Sequence, residues 1–158
     1  MTNEQDNQNR VLLQAIASQY FCTYDVDLVN GRMRAIRVPD DVRELTGDEG
    51  DVREIITMLN DNYAAPESQF DVEEFINLDT LSARMAGKSF ISCEYRSLKY
   101  GWCRASFIEA EREAGELKRL IFTAQIIDEA KRKELEQMAE LVAAKKNYER
   151  PDRLVAIL

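Results

Sequence analysis

Residues 120–142 read LIFTAQIIDEAKRKELEQMAELV. The first half is β-branched and aromatic, the second half is Glu, Lys, Ala and Leu, and no glycine or proline lies between them. Such a composition predicts a strand followed at once by a helix. The joint falls at Asp128, whose carboxylate suits a helix cap, and at Glu129, which suits the positive end of the helix dipole. A joint with no loosening residue couples the two elements, so strain in a sheet becomes movement of the helix. Within the helix, Leu135, Met138 and Val142 follow a-d-a spacing, with Leu141 adjacent. Two heptads of this kind fit either an amphipathic helix docked on its own domain or a parallel pairing of two chains.

Two further strand-like stretches precede this one, SFISCEYRS (89–97) and GWCRASFIEAER (101–112), and the last strand is expected over 117–127. The joints LKYG and EAGE are short, which predicts an antiparallel meander. Near the N-terminus, YFCTYDVDLVNGRMRAIRV alternates in the same way, and Asn30-Gly31 predicts a two-residue hairpin turn. Asn9–Gln19 has helical spacing, as do GDVREIITMLNDNY and DVEEFINLDTLSARMAG, with Gly87 as a helix stop. Pro66 and Ser68 read as a loop between short helices on each side of Asp71. Grouped strands and helices imply an α+β fold: a five-stranded antiparallel sheet with helices on one face.

Parity assigns the faces. Leu120, Phe122, Ala124 and Ile126 share one face of the last strand; Cys103, Ala105 and Phe107, then Ile91, Cys93 and Tyr95, share it in the strands before. If Cys22, Tyr24 and Val26 turn the same way, one concave apolar face holds all three cysteines. A pocket there would be lined by Tyr24, Val26, Cys93, Tyr95, Cys103, Ala105, Phe107, Phe122 and Ala124, with Met58 and Phe75 from the covering helices. A closed core with no ligand fits the same pattern. The opposite face carries Trp102, Ile121 and Ile127, so the N-terminal helix or a partner subunit is expected to cover it.

Composition narrows function. The chain has 158 residues, 45% hydrophobic and 32% charged, with a formal net charge of −8. Phosphate backbones and anionic membrane surfaces repel such a chain, so nucleic acid is not an expected partner. Its polar start is unlike a signal peptide, and no apolar run matches a membrane span, so direct membrane insertion is not expected. Three cysteines without a CxxC pair read as reduced, buried thiols of a cytoplasmic protein. Histidine is absent, which removes Ser-His-Asp and Cys-His catalysis and His-ligated zinc or haem.

The order of several motifs resembles a PAS domain of the kind that precedes bacterial diguanylate cyclases and sensor kinases. SQYFCTYDVDLVNGRM resembles the first family hairpin. FINLDTLSARMAGKSFISCEYRS resembles the helix and strand in which an aspartate, here Asp79, precedes the "eyR" strand. YGWCRASFIEAEREAGEL resembles the "G-x-x-W-[VC]-R" strand, and TAQIIDEAKRKELE the terminal strand and charged helix. The match covers roughly residues 20–135. Glu129-Ala130 stand where the family has Ile-Thr after its aspartate. The resemblance implies an N-terminal tail and cap helix (1–19), a PAS domain (20–128), a signalling helix (129–147) and a C-terminal tail (148–158). It also implies a non-catalytic homodimer that relays the state of a ligand or partner, through Asp128 and Glu129, to a downstream effector domain. The cofactor is left unknown. Haem sensors usually use a histidine, and flavin–cysteine photoreceptors use a cysteine in an Asn-Cys-Arg helix; this chain has neither.

Two stretches invite other readings. TGDEGD (46–51) is similar to the GGDEF signature of diguanylate cyclases, but it precedes an amphipathic helix, and Asp51 reads as that helix's N-cap. Asp25 and Asp27 share a strand face and would serve a small α+β enzyme as an acid pair. Their face is the polar one, and two solvated carboxylates beside a turn are the plainer reading.

Overall fold

The computed structural model describes residues 5–8, 11 and 20–148. The helix expected over Asn9–Gln19 lies outside the described residues except for Val11, which is helical. The tail from residue 149 on also lies outside them. Among the described residues six strands form one antiparallel sheet: β1 (Cys22–Asp27), β2 (Arg32–Arg37), β3 (Glu49–Asp51), β4 (Phe90–Ser97), β5 (Gly101–Glu113) and β6 (Glu116–Ile126). Their order across the sheet is β3-β2-β1-β6-β5-β4. Helices α1 (Asp40–Thr46), α2 (Val52–Tyr63), α3 (Pro66–Phe75) and α4 (Leu81–Arg84) lie in sequence between β2 and β4, and α5 (Asp128–Tyr148) follows β6. The α+β class is as expected. The sixth strand is β3, three residues inside the TGDEGD stretch.

The turns show how local chemistry sets the register. The β1–β2 loop is four residues long, not two, because Asp27 pairs with Arg32. The Asp27 carboxylate accepts hydrogen bonds from the Val29 and Asn30 amides at 3.0 and 3.1 Å and from Asn30 Nδ2 at 2.8 Å. Only Gly31 takes a positive φ there, 67°. At the β5–β6 hairpin, Glu113 pairs with Glu116, leaving two turn residues, Ala114 and Gly115, with φ of 53° and 80°. That turn needs left-handed backbone at both positions, which alanine adopts at a cost. Replacing Ala114 with glycine should therefore raise the urea unfolding free energy, by about 0.5–1 kcal/mol.

The helices begin where capping chemistry allows. Asp51 accepts from the Glu54 amide at 3.1 Å and caps α2, as the sequence predicts. Pro66 starts α3 rather than marking a loop, because its missing N–H is no loss in a first helical turn. Ser68 and Asp71 then lie inside α3, and the Ser68 hydroxyl accepts from the Arg96 amide of edge strand β4 at 2.9 Å. Helix α1 has no counterpart in the sequence reading. It is anchored by a relay in which Tyr24 donates to Thr46 Oγ1 (3.0 Å) and Thr46 donates to the Val42 carbonyl (3.0 Å).

Side chains on the helix-covered face form rows across the sheet. One row runs Cys93, Ala105, Ala124, Cys22; the next runs Ile91, Phe107, Phe122, Tyr24. Phe75 of α3 stacks on Phe107 with centroids 5.1 Å apart, and Phe107 meets Phe122 at 5.2 Å. Tyr24, Val26, Cys103, Phe107 and Leu120 are fully buried, and Phe122 and Ala124 nearly so. Ile126 departs from its predicted inward place and is exposed at the strand end. On the opposite face Thr23, Ser106 and Thr123 are buried, and Trp102 and Ile121 half-buried.

Residues 127–148 belong to a second compact unit. Its helix α5 starts one residue after β6 ends. Asp128 is the first helical residue rather than the flanking cap; the Ile127 carbonyl accepts from the Lys131 amide at 2.9 Å. The Asp128 carboxylate pairs with Arg132 at 2.9 Å, and Glu129 pairs with Lys133 at 3.9 Å. Acidic residues open the helix and Lys145 and Lys146 close it, which matches its dipole. Leu135, Met138, Leu141 and Val142 are all exposed. No described helix is long and apolar enough to cross a membrane.

Candidate ligand-binding site

The row of small side chains leaves a gap under the helices. Where Ala105 and Ala124 stand beside the larger Phe122 and Tyr95, the helices cannot close on the sheet, and a cavity of about 50 Å³ remains. Its sheet wall includes Cys22, Tyr95, Ala105, Phe122 and Ala124; its roof includes Val42, Ile56, Asn60, Tyr63 and Val72. Phe21 and Tyr100 stand with Tyr63 on the same lining.

Four of the residues expected to line a pocket do so: Tyr95, Ala105, Phe122 and Ala124. The other expected residues do not line it. Tyr24, Val26, Phe75 and Phe107 pack into the core, Cys103 is buried, and Met58 and Cys93 lie half-buried against the core. The cavity therefore sits toward one end of the concave face, nearer α2 and the β4–β5 loop.

The β4–β5 loop is held by local bonds. Ser97 Oγ accepts from the Lys99 and Tyr100 amides at 3.3 and 3.2 Å, and the Leu98 amide donates to the Tyr63 carbonyl at 2.8 Å. This places Tyr100 beside Phe21, with ring centroids 4.5 Å apart, and 6.4 Å from the Tyr63 ring. Both tyrosine hydroxyls donate to Asp41 of α1, Tyr63 at 2.7 Å and Tyr100 at 3.3 Å. Lys99 Nζ lies 3.0 Å from the same carboxylate and 5.4 Å from the Tyr100 centroid. The Tyr63 hydrogen bond, with Lys99 behind it, holds Asp41 below the usual aspartate range. Burial, then the bond to Asp41, pushes the Tyr63 hydroxyl far up, so it stays a donor at neutral pH.

Asn60 is the polar exception in the roof. It is buried, its Nδ2 lies 3.5 Å from the Gln69 carbonyl, and its Oδ1 has no partner among the described residues. The sequence carried a signal for it: Ile56, Asn60 and Tyr63 fall on one helical face, so a polar residue interrupts an apolar stripe. Asp41 and Tyr100 had no such signal, because they come from an unassigned segment and a short joint.

Burial disfavours the thiolate at two of the cysteines. Burial pushes the Cys22 thiol up to about 12, and it raises that of Cys93 as well. Thiolate is the reactive form, so native protein at pH 8 should leave Cys22 unmodified by iodoacetamide over the time in which urea-unfolded protein reacts fully. Mass spectrometry of the labelled peptides reads this.

Asp25 and Asp27 lie on the other side of the sheet in a shallow depression of about 430 Å³ with Arg32, Arg34 and Arg119. Asp25 pairs with Arg119 at 2.7 Å and Arg34 at 3.4 Å, while Asp27 closes the β1–β2 loop. The side chain and amide of Asn30 hold Asp27 below the usual range. Each carboxylate thus has a structural task.

No protein-family model and no curated protein matches the chain. Solved structures do. A sensory box histidine kinase/response regulator from Burkholderia thailandensis is 17% identical over 85% of this chain and 98% of that one, with a TM-score of 0.52. The N-terminal domain of a diguanylate cyclase with PAS/PAC sensor from Marinobacter aquaeolei is 15% identical, covering 68% and 94%, with a TM-score of 0.40. A sensory box sensor histidine kinase from Vibrio cholerae is 14% identical, covering 79% and 97%, with a TM-score of 0.37. Sheet order, the helices inserted between β2 and β4, and the likeness to the first of these structures together identify the fold of this chain as that of a PAS domain.

Proposed function

We propose that this chain is the sensory module of a signal-transduction protein and has no catalytic role itself. Residues 20–128 sense, the helix over 129–147 relays, and an effector domain linked downstream responds. The module works in the cytoplasm as a homodimer joined through α5, and a small molecule in the cavity or a bound partner is the input.

One observation carries this reading. Strand β6 supplies Phe122 and Ala124 to the cavity wall, and a single residue, Ile127, separates its end from a 21-residue helix. A change in cavity volume strains β6, and no flexible linker absorbs the strain before Asp128 and Glu129. The exposed stripe of Leu135, Met138 and Val142 gives a second helix something to hold.

The test is a chimera in which Tyr148 continues in helical register into the catalytic domain of a diguanylate cyclase. Ala124→Val adds two carbons to the cavity wall and mimics an occupant. Output should change at least about fivefold, the scale of a typical coupling free energy. Unchanged output, with the variant folded and dimeric, contradicts the reading.

A further inference from the structure

The size of the cavity and the bonding state of its polar lining together select one class of ligand; this names the input of the sensory reading above and rests on it. An apolar cavity of about 150 Å³ holds the six carbons of benzene, so one of about 50 Å³ holds two or three heavy atoms. Among the polar lining residues, Tyr63 and Tyr100 spend their hydroxyl protons on Asp41, and the Tyr95 hydroxyl pairs with Cys103. Asn60 and Ser97 have bonding capacity to spare. Asn60 Oδ1 is a buried acceptor without a partner among the described residues. Ser97 is buried too; its Oγ accepts from the Lys99 and Tyr100 amides, and its own proton meets no acceptor among the described residues. The two residues are near neighbours, because Ala64, one helical turn after Asn60, forms a β-bridge to Ser97.

Buried polar groups left unpaired are costly. One small hydroxyl answers both, donating to Asn60 Oδ1 and accepting from Ser97 Oγ. Asn60 Nδ2 reaches the Gln69 carbonyl only at 3.5 Å, so a small turn about χ2 aims Oδ1 at such a hydroxyl. A single water would satisfy the pair, but its share of volume is about 30 Å³, which leaves apolar space beside Ile56, Val72, Phe122 and Ala124. A second water there would face side chains that cannot bond to it. An ammonium would lose its hydration against this wall, and a carboxylate would bring no proton to Asn60.

We propose that the cavity binds a one- or two-carbon alcohol. Its hydroxyl lies between Asn60 and Ser97, and its methyl or ethyl group fills the apolar remainder.

Amide NMR titration of the full chain, followed at Ala105 and Ala124, tests this with four probes. Methanol and ethanol carry the hydroxyl at the right size. Acetonitrile matches ethanol in heavy atoms but has no donor, and tert-butanol has the hydroxyl on a body too bulky for the space. Ethanol should saturate with a dissociation constant of about 10 mM, within reach of so few heavy atoms, and methanol should bind about fourfold more weakly for its missing methylene. Acetonitrile should bind at least about tenfold more weakly than ethanol, the worth of one hydrogen bond, and tert-butanol should give only linear shifts. Asn60→Leu should erase ethanol's advantage over acetonitrile, and Ala124→Val should abolish saturation by ethanol. Acetonitrile or tert-butanol binding as tightly as ethanol overturns the proposal. So does a wild type that neither alcohol saturates below about 200 mM, which would leave water as the occupant. The chimera with Ala124→Val uses no ligand, so alcohol binding beside a silent chimera removes the relay and keeps this site, and the reverse pattern removes the alcohol alone.

Discussion

Phe107→Ala should lower the unfolding free energy by about 3–5 kcal/mol, the range for deleting a buried phenyl group. The ring is fully buried and sits between Phe75 of the roof and Phe122 of the sheet. Removing it breaks both ring contacts and leaves a void in the row that joins roof to sheet. For a chain of this size that loss is about 10 °C or more in Tm. Phe70, on the same helix as Phe75 but exposed, is the control: Phe70→Ala should stay within about 0.5 kcal/mol of wild type. A Phe107→Ala variant as stable as Phe70→Ala would mean that this row is not the core.

The second large effect lies in α5. Leu135 and Met138 are exposed and stand one a-d step apart on the stripe proposed for pairing. In a parallel pair each would face its counterpart in the other chain. Leu135→Glu with Met138→Glu puts like charges in apposition across the seam, and burying them unpaired is very costly. Light scattering should show a dimer for wild type at tens of micromolar and a monomer for the double variant, a rise of at least about 100-fold in dissociation constant, as two costs of about 1.4 kcal/mol each would give. The unit that ends at Ile126 should keep its unfolding transition, because neither residue lies within it. A wild-type chain that stays monomeric at high concentration would remove the homodimer from the account.

The strands were legible because alternation is local and has a fixed period. Every expected strand is present, and parity placed Phe107, Phe122, Ala124, Cys103 and Tyr24 on the buried face. It failed at Ile126, where the strand ends and the roof with it. β3 is three residues, Glu-Gly-Asp, with no strand propensity; pairing with Met33 and its neighbours makes it a strand. α1 has seven residues and only Val42 and Thr46 buried, too short for a periodic signal. Pro66 read as a breaker, but at a first helical position it is a starter.

The site was half legible for a related reason. Parity finds the sheet wall, so Tyr95, Ala105, Phe122 and Ala124 were within reach. It cannot tell which row the roof fills. That depends on Phe75 meeting Phe107, a contact between residues 32 apart in sequence. The cluster beside it is assembled from α1, the end of α2 and the β4–β5 loop, and no local pattern links Asp41 to Tyr63, Lys99 and Tyr100.

The central claim is that a change at the cavity wall reaches α5 because Ile127 alone joins it to β6. The direct measurement is the cyclase output of the chimera, with and without Ala124→Val, after two glycines are inserted between Ile127 and Asp128. The account predicts that the fivefold or larger response to Ala124→Val disappears while dimer formation and basal turnover persist. A response of undiminished size through the glycine joint would contradict it.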